Sequence, residues 1–130
     1  MATQPEQLRV RTKEFAIRIV RLFQSLPKTD EARIIGKQVV RSGTSVAANH
    51  RAVGRARSRA EFVSRMGVVV EEADETAFWL ELLIETSIIP EVRLRDLLTE
   101  ANELLAIFAA SLWTARQKRK RQSVSVSMAQ

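Results

Sequence analysis

The 130-residue sequence carries 21 Lys and Arg against 15 Asp and Glu, a formal net charge of +6, with no Cys, no Tyr and a single His. That length reads as one domain able to bury a core without staples; the missing Cys excludes disulfides, thiol catalysis and Cys-ligated zinc, and one His excludes a His-pair metal site. A hydrophobic fraction of 45% is that of a globular chain, and apolar runs of only a few residues exclude a membrane span.

The start, Met1 to Arg9, lacks the basic-then-apolar layout of a secretion signal, so a cytoplasmic location is the expectation. From there nearly everything reads as helix, and the interior prolines Pro27 and Pro90 fall at breaks between periodic stretches. At 100° per residue, Phe15, Ile19, Leu22, Phe23 and Leu26 share one arc of a first helix over about residues 8–26. Thr29 or Asp30 then offers an N-cap for a second helix over about 31–56, with Ile35, Val39, Val46 and Val53 inward.

Ser58-Arg59-Ala60-Glu61 matches a capping box and opens a third helix, about 58–87, whose core stripe is Phe62, Met66, Val69, Ala73, Ala77, Leu80 and Ile84. Pro90 suits the first turn of a fourth, about 90–116, with Leu94, Leu97, Ala101, Leu104, Leu105, Phe108 and Leu112 inward. Short connections make successive helices antiparallel neighbours. The expected fold is all-α, an antiparallel up-down-up-down four-helix bundle over residues 8–116, followed by a basic and then polar flexible tail over 117–130.

Charge is distributed unevenly. Arg9 to Arg65 holds 14 basic and 4 acidic residues, Glu71 to Glu103 holds 2 basic and 10 acidic, and Arg116 to Arg121 adds five positive charges. The halves can neutralise one another within one fold or across a subunit boundary. On the second helix Arg33, Lys37, Arg41, Arg51 and Arg55 fall within an arc of about 80° along about 33 Å. Like charges at this spacing repel unless an anion lies along them, so the line is a candidate phosphate-tracking ridge. The alternatives are a plain solvated face or a face paired with acidic side chains. Arg116, Lys118, Arg119, Lys120 and Arg121 would add counterion release beside a nucleic acid.

The second helix also carries small residues on another strip: Gly36, Gly43, Ala47 and Gly54. Mid-helix Gly costs about 1 kcal/mol relative to Ala, which close approach of a neighbouring helix would offset. A third strip, Gln38, Ser42, Ser45 and Asn49, is expected to hydrogen-bond a neighbouring helix, with the acids around Glu71 to Glu75 as partners. The third helix is apolar on more than one face: Val68, Phe78, Trp79 and Leu82 lie away from its core stripe, mixed with Glu71, Glu72 and Glu75. A helix of that kind is covered on more than one side, which points to self-association through it. Ile107 and Trp113 also fall outside the fourth helix's core arc.

Catalytic patterns are missing. The carboxylate cluster Glu71-Glu72-Ala73-Asp74-Glu75 lacks the Glu-x-x-His pairs of a di-metal site. His50, between Ala47 and Val53, reads as a packed core residue rather than a ligand. No phosphate loop or Ser/His/Asp arrangement is present. No enzyme, cofactor or metal is expected.

The segments Phe15-Ala16-Ile17-Arg18-Ile19, Arg41-Ser42-Gly43-Thr44-Ser45-Val46-Ala47-Ala48-Asn49, Arg57-Ser58-Arg59-Ala60-Glu61-Phe62, Glu71-Glu72-Ala73-Asp74-Glu75-Thr76 and Trp79-Leu80 together closely resemble the bacterial proteins encoded within intervening sequences of 23S ribosomal RNA genes. That family is similar to the accessory variability protein of diversity-generating retroelements. Over residues 9–116 the resemblance implies an antiparallel four-helix bundle assembling as a ring, typically a homopentamer, with a basic surface toward nucleic acid. In the retroelement branch it implies a reverse transcriptase and its template RNA as partners. Carried onto this chain, the family motifs fall on Arg41, Ser42, Gly43, Ser45 and Asn49 and on Glu72, Asp74 and Glu75, read as packing and subunit seam rather than a catalytic set. The basic end beyond Arg116 departs from the family pattern.

Two functions follow as expectations. One is a non-enzymatic, self-assembling bundle that binds RNA or DNA, with structured RNA favoured, through phosphates and reads it by shape. The other is a protein–protein scaffold whose basic face meets acidic subunits or a partner enzyme.

Overall fold

The computed structural model describes the backbone of residues 3–129 and the side-chain surroundings of residues 3–124. Four helices account for nearly all of it: α1 (Gln4–Ser25), α2 (Asp30–Val53), α3 (Arg59–Glu85) and α4 (Glu91–Ala129), with no strand among the described residues.

Local chemistry sets the ends. At Thr3 the hydroxyl accepts from the Glu6 N–H at 3.3 Å while the Glu6 carboxylate accepts from the Thr3 N–H at 3.2 Å, with Pro5 in the first turn. This reciprocal cap starts α1 at Gln4, ahead of the expected start near residue 8. Thr29 caps α2 by accepting from the Ala32 N–H at 3.3 Å. Ser58 caps α3 by accepting from the Glu61 N–H at 3.0 Å, but Glu61 reaches one residue further back, accepting from the Arg57 N–H at 3.2 Å.

The α3–α4 turn closes with Ser87 at φ 61°, where the Ser87 N–H bonds the Ile84 carbonyl at 2.9 Å and the Ile88 N–H bonds the Leu83 carbonyl at 3.0 Å. These are the two hydrogen bonds of a Schellman motif, normally built around glycine. The turn seats Ile89 in the core and hands the chain to Pro90, whose carbonyl accepts from the Arg93 N–H at 3.0 Å.

The packing is that of a helical bundle. α2 lies against α1 and α3, α3 against α2 and α4, and α1 touches α4 more lightly; the backbones of α1 and α3 make no close approach. One continuous core runs through all four helices: Phe15 and Ile19 from α1, Val39, Val46 and Val53 from α2, Met66, Val69 and Leu80 from α3, and Leu94, Leu104 and Phe108 from α4. Ile35, Phe62, Ile84 and Leu105 are only partly buried, packed against this core rather than within it. On α3 the apolar interior includes Val63 and Leu83, and Thr76 is fully buried, its hydroxyl donating to the Glu72 carbonyl at 2.7 Å.

The small residues of α2 split in role. A Cβ on Gly36 would come 2.5 Å from Leu26 Cδ1, and one on Gly43 would come 2.8 Å from Ile19 Cγ1, so α1 presses on both. Gly54 does not belong with them: it is the exposed C-cap of α2, which ends at Val53 rather than near residue 56. The larger departure is at the other end of the chain. The expected flexible tail over 117–130 is helical as far as Ala129, and only Gln130 of it lies outside the described residues. No Gly or Pro follows Pro90, and Arg, Lys and Gln are good helix formers.

Two substitutions test the α1–α2 contact. Gly43→Ala forces a methyl onto the stiff, β-branched Ile19, and overpacking of about 1–3 kcal/mol outweighs the propensity gain of about 1 kcal/mol. Gly67→Ala, with nothing within 4 Å of the added carbon, keeps only the gain. Urea denaturation should show the first lowering stability and the second raising it. Ser87→Gly should raise stability by about 1 kcal/mol by relieving the left-handed backbone, read as a higher melting temperature.

Candidate nucleic-acid interface

The five cations of the expected line are all exposed, but Arg55 lies past the end of α2 in the turn that follows, and the four on the helix are not equivalent. Arg41 is drawn across to α3: one guanidinium nitrogen lies 3.4 Å from Glu72 Oε2, the other is paired with Glu75, and its Nε–H donates to Gln38 Oε1 at 3.0 Å. The expectation of an unbroken ridge is corrected here. Glu72 and Glu75 sit opposite on α3 and Arg41 forks between them, so the line divides into Arg33 with Lys37 and Arg51 with Arg55. These four form no ion pair among the described residues.

A second clamp ties α1 to α4. Arg11 donates to Glu100 through Nε at 2.8 Å and Nη2 at 2.6 Å, and to Glu103 at 2.7 Å. The hydrogen bonds from Arg11 hold the Glu100 carboxyl below its ordinary range, against partial desolvation. Arg11 was not singled out from sequence, because only the register between α1 and α4 reveals its partners. Together the two clamps neutralise part of the basic front half with the acidic back half inside one fold.

The polar strip of α2 behaves differently from expectation. Ser42 is fully buried and donates to the Gln38 carbonyl at 2.9 Å; Asn49 donates to the Ser45 carbonyl at 2.9 Å and to Ser45 Oγ at 2.7 Å. These bonds run back along their own helix rather than across to α3, a local alternative that Ser and Asn find without a neighbour. Asp74 is exposed on α3 and joins no such seam.

Of the residues assigned to a subunit face, Val68, Glu71 and Phe78 are exposed, Phe78 by 52%. Leu82 is partly buried. Trp79 is held against the core, with Nε1–H donating to Glu75 Oε2 at 3.0 Å and Phe78 meeting it edge-on at a centroid distance of 4.9 Å. Glu72 and Glu75 spend their charge on Arg41 instead of on a neighbour. On α4, Ile107 packs against the core and Trp113 is 65% exposed. Ala115 is the last buried residue, and Arg116, Lys118, Arg119, Lys120 and Arg121 stand exposed on the helix beyond it.

His50 lies under the α2 surface, its ring 5.1 Å from that of Phe108 and its Nδ1 buried without a hydrogen-bond partner. Among the described residues no cluster of His, Asp and Glu fit to hold a metal occurs, and no helix is long and apolar enough to cross a membrane.

Residues 6–110 match the family model described as 23S rRNA-intervening sequence protein. The chain belongs to that family. A solved structure from the S23 ribosomal protein family of Bacteroides thetaiotaomicron VPI-5482, a protein of unknown function, is similar at 33% identity and a TM-score of 0.78, covering 85% of this chain and 98% of that one. Among curated proteins none matches. The family match ends at residue 110, inside α4, so the basic continuation of this helix lies beyond it.

Burial, and secondarily Arg9, lower the pKa of His50 below its ordinary 6.5. The neutral form is favoured in the fold, so the unfolded chain binds the extra proton as pH falls through about 6.5. Stability should therefore fall between pH 7.5 and pH 5.5, measured as the urea midpoint, and His50→Leu should flatten that interval. Glu61 and Glu100, held below 4.5, titrate beneath it.

Proposed function

We propose that this protein is a non-enzymatic, self-assembling bundle of antiparallel up-down-up-down helices that binds structured RNA through phosphates. The observation that carries the reading is a group of exposed cations with no ion pair among the described residues: Arg33, Lys37 and Arg51 on α2, Arg55 just past its end, and the run beyond Ala115 on α4. His50 of α2 lies against Phe108 of α4. With α2 and α4 running the same way, Arg51 and Arg55 point toward the end of the bundle from which Arg116 to Arg121 extend. Arg57 and Arg59, in and just after the α2–α3 turn, belong to the same end. A basic pole of this kind engages phosphates without a base-reading module and selects by shape. Assembly into a ring multiplies weak contacts through effective concentration. In that role the protein would hold RNA beside a polymerising partner such as a reverse transcriptase.

The scaffold reading is favoured by one observation, the carboxylates around Arg41, but that pairing lies within the chain and leaves the pole unneutralised. Titration of a labelled RNA hairpin at several salt concentrations separates the two. RNA affinity should fall steeply with salt, and Arg51→Glu with Arg55→Glu should weaken binding and lower the slope by about one per lost contact, with oligomer size by light scattering unchanged. A flat salt dependence removes the phosphate reading. Dispersal of the oligomer by the same substitutions supports the scaffold.

A further inference from the structure

α1 turns a second apolar strip to solvent, away from its core stripe. Val10, Lys13, Ile17, Val20, Arg21 and Gln24 share an arc of about 100°, all are exposed, and the last five border a shallow depression on the helix. Apart from Glu14 at its margin the strip carries only positive charge. α3 turns the opposite kind of strip outward over an arc of similar width: Val68, Phe78 and Leu82 with the unpaired Glu71 and Glu85, and with Glu75, which Arg41 already engages; α3 itself has no basic residue there. The strips are comparable in length, about 21 Å from Val10 to Gln24 and about 26 Å from Val68 to Glu85 at 1.5 Å per residue.

α1 and α3 are diagonal in the bundle, their backbones making no close approach, so their solvent faces look in opposite directions and cannot meet within one chain. Pairing α3 with α3 sets carboxylates against carboxylates, and pairing α1 with α1 sets Lys13 and Arg21 against their own copies. Like charges brought together across an interface disfavour both.

We infer that the α1 strip of one copy receives the α3 strip of the next, a head-to-tail contact between copies of this chain. This rests on the self-assembly proposed above and names the surfaces that make it. A heterologous contact between faces on opposite sides repeats around a ring or along a filament. It covers Val68 and Phe78 as well as Ile17 and Val20, and it leaves α2 uncovered between the two joints.

Ile17→Asp and Phe78→Asp test the pairing. Both side chains are solvent-exposed in the bundle, and circular dichroism and a thermal melt confirm folding of each variant. Light scattering coupled to size exclusion should find each variant monomeric, whereas an equimolar mixture should give a one-to-one dimer, because each variant keeps the face the other lost. A mixture that stays monomeric, or an Ile17→Asp protein that assembles like the unaltered one, overturns the pairing. Lys13→Glu with Arg21→Glu repeats the test without touching an apolar side chain. It should disperse the oligomer, and mixing with Glu71→Lys, Glu85→Lys protein should restore association; no dispersal overturns the pairing. Dispersal by Phe78→Asp but not by Ile17→Asp keeps self-association through α3 and removes only its α1 partner. Unaltered protein that is monomeric at every concentration removes both.

Discussion

Arg41, forked between Glu72 and Glu75, ties α2 to α3 and is itself withdrawn from the exposed cations of α2. Its side chain is half exposed, so the pair contributes little to stability, of the order of 0–1 kcal/mol for a bridge in that setting. What it supplies is register. The matching clamp of Arg11 on Glu100 and Glu103 does the same for α1 and α4, the pair of neighbours with the lightest contact. Arg11 and Arg41 are thereby neutralised, and the cations outside these seams stand exposed on α1, on α2 and on the far end of α4.

Most of the core was legible in the sequence because 3.6-residue periodicity is a property of one helix at a time. Phe15, Ile19, Leu22, Val39, Val46, Met66, Val69, Leu80, Leu94, Leu104 and Phe108 follow from spacing alone and are buried. Features that depend on two helices were not legible in that way. The forks of Arg11 and Arg41 need the register between elements, and the own-helix bonds of Ser42 and Asn49 compete with a cross-helix alternative that spacing cannot rank. The start of α1 was readable: Thr3-Gln4-Pro5-Glu6 is a capping box with Pro in the first turn. The end of α4 was not, since a polar alternating segment without Gly or Pro is compatible with helix and with coil.

Membership of the 23S rRNA-intervening sequence protein family accounts for the bundle and its motifs. The strings R-S-G-T-S-V and E-E-A-D-E-T meet each other across the α2–α3 seam through Arg41, Glu72 and Glu75, while Gly43 within the first string admits Ile19 of α1. These strings are therefore architecture. The unpaired exposed cations and the exposed apolar side chains of α1 and α3 take no part in these contacts.

The continuation of α4 past Ala115 has an electrostatic consequence. Glu103, the nearest acid on that helix, is about 20 Å along the axis from Arg116 at 1.5 Å per residue. The Debye length at physiological ionic strength is about 8 Å, so ions in solution mask the acidic stretch before its field reaches the terminal run. A polyanion approaching that end meets cations whose attraction the rest of α4 does not dilute, and lowering the salt lengthens the reach of both signs until the helix behaves as one weakly charged rod.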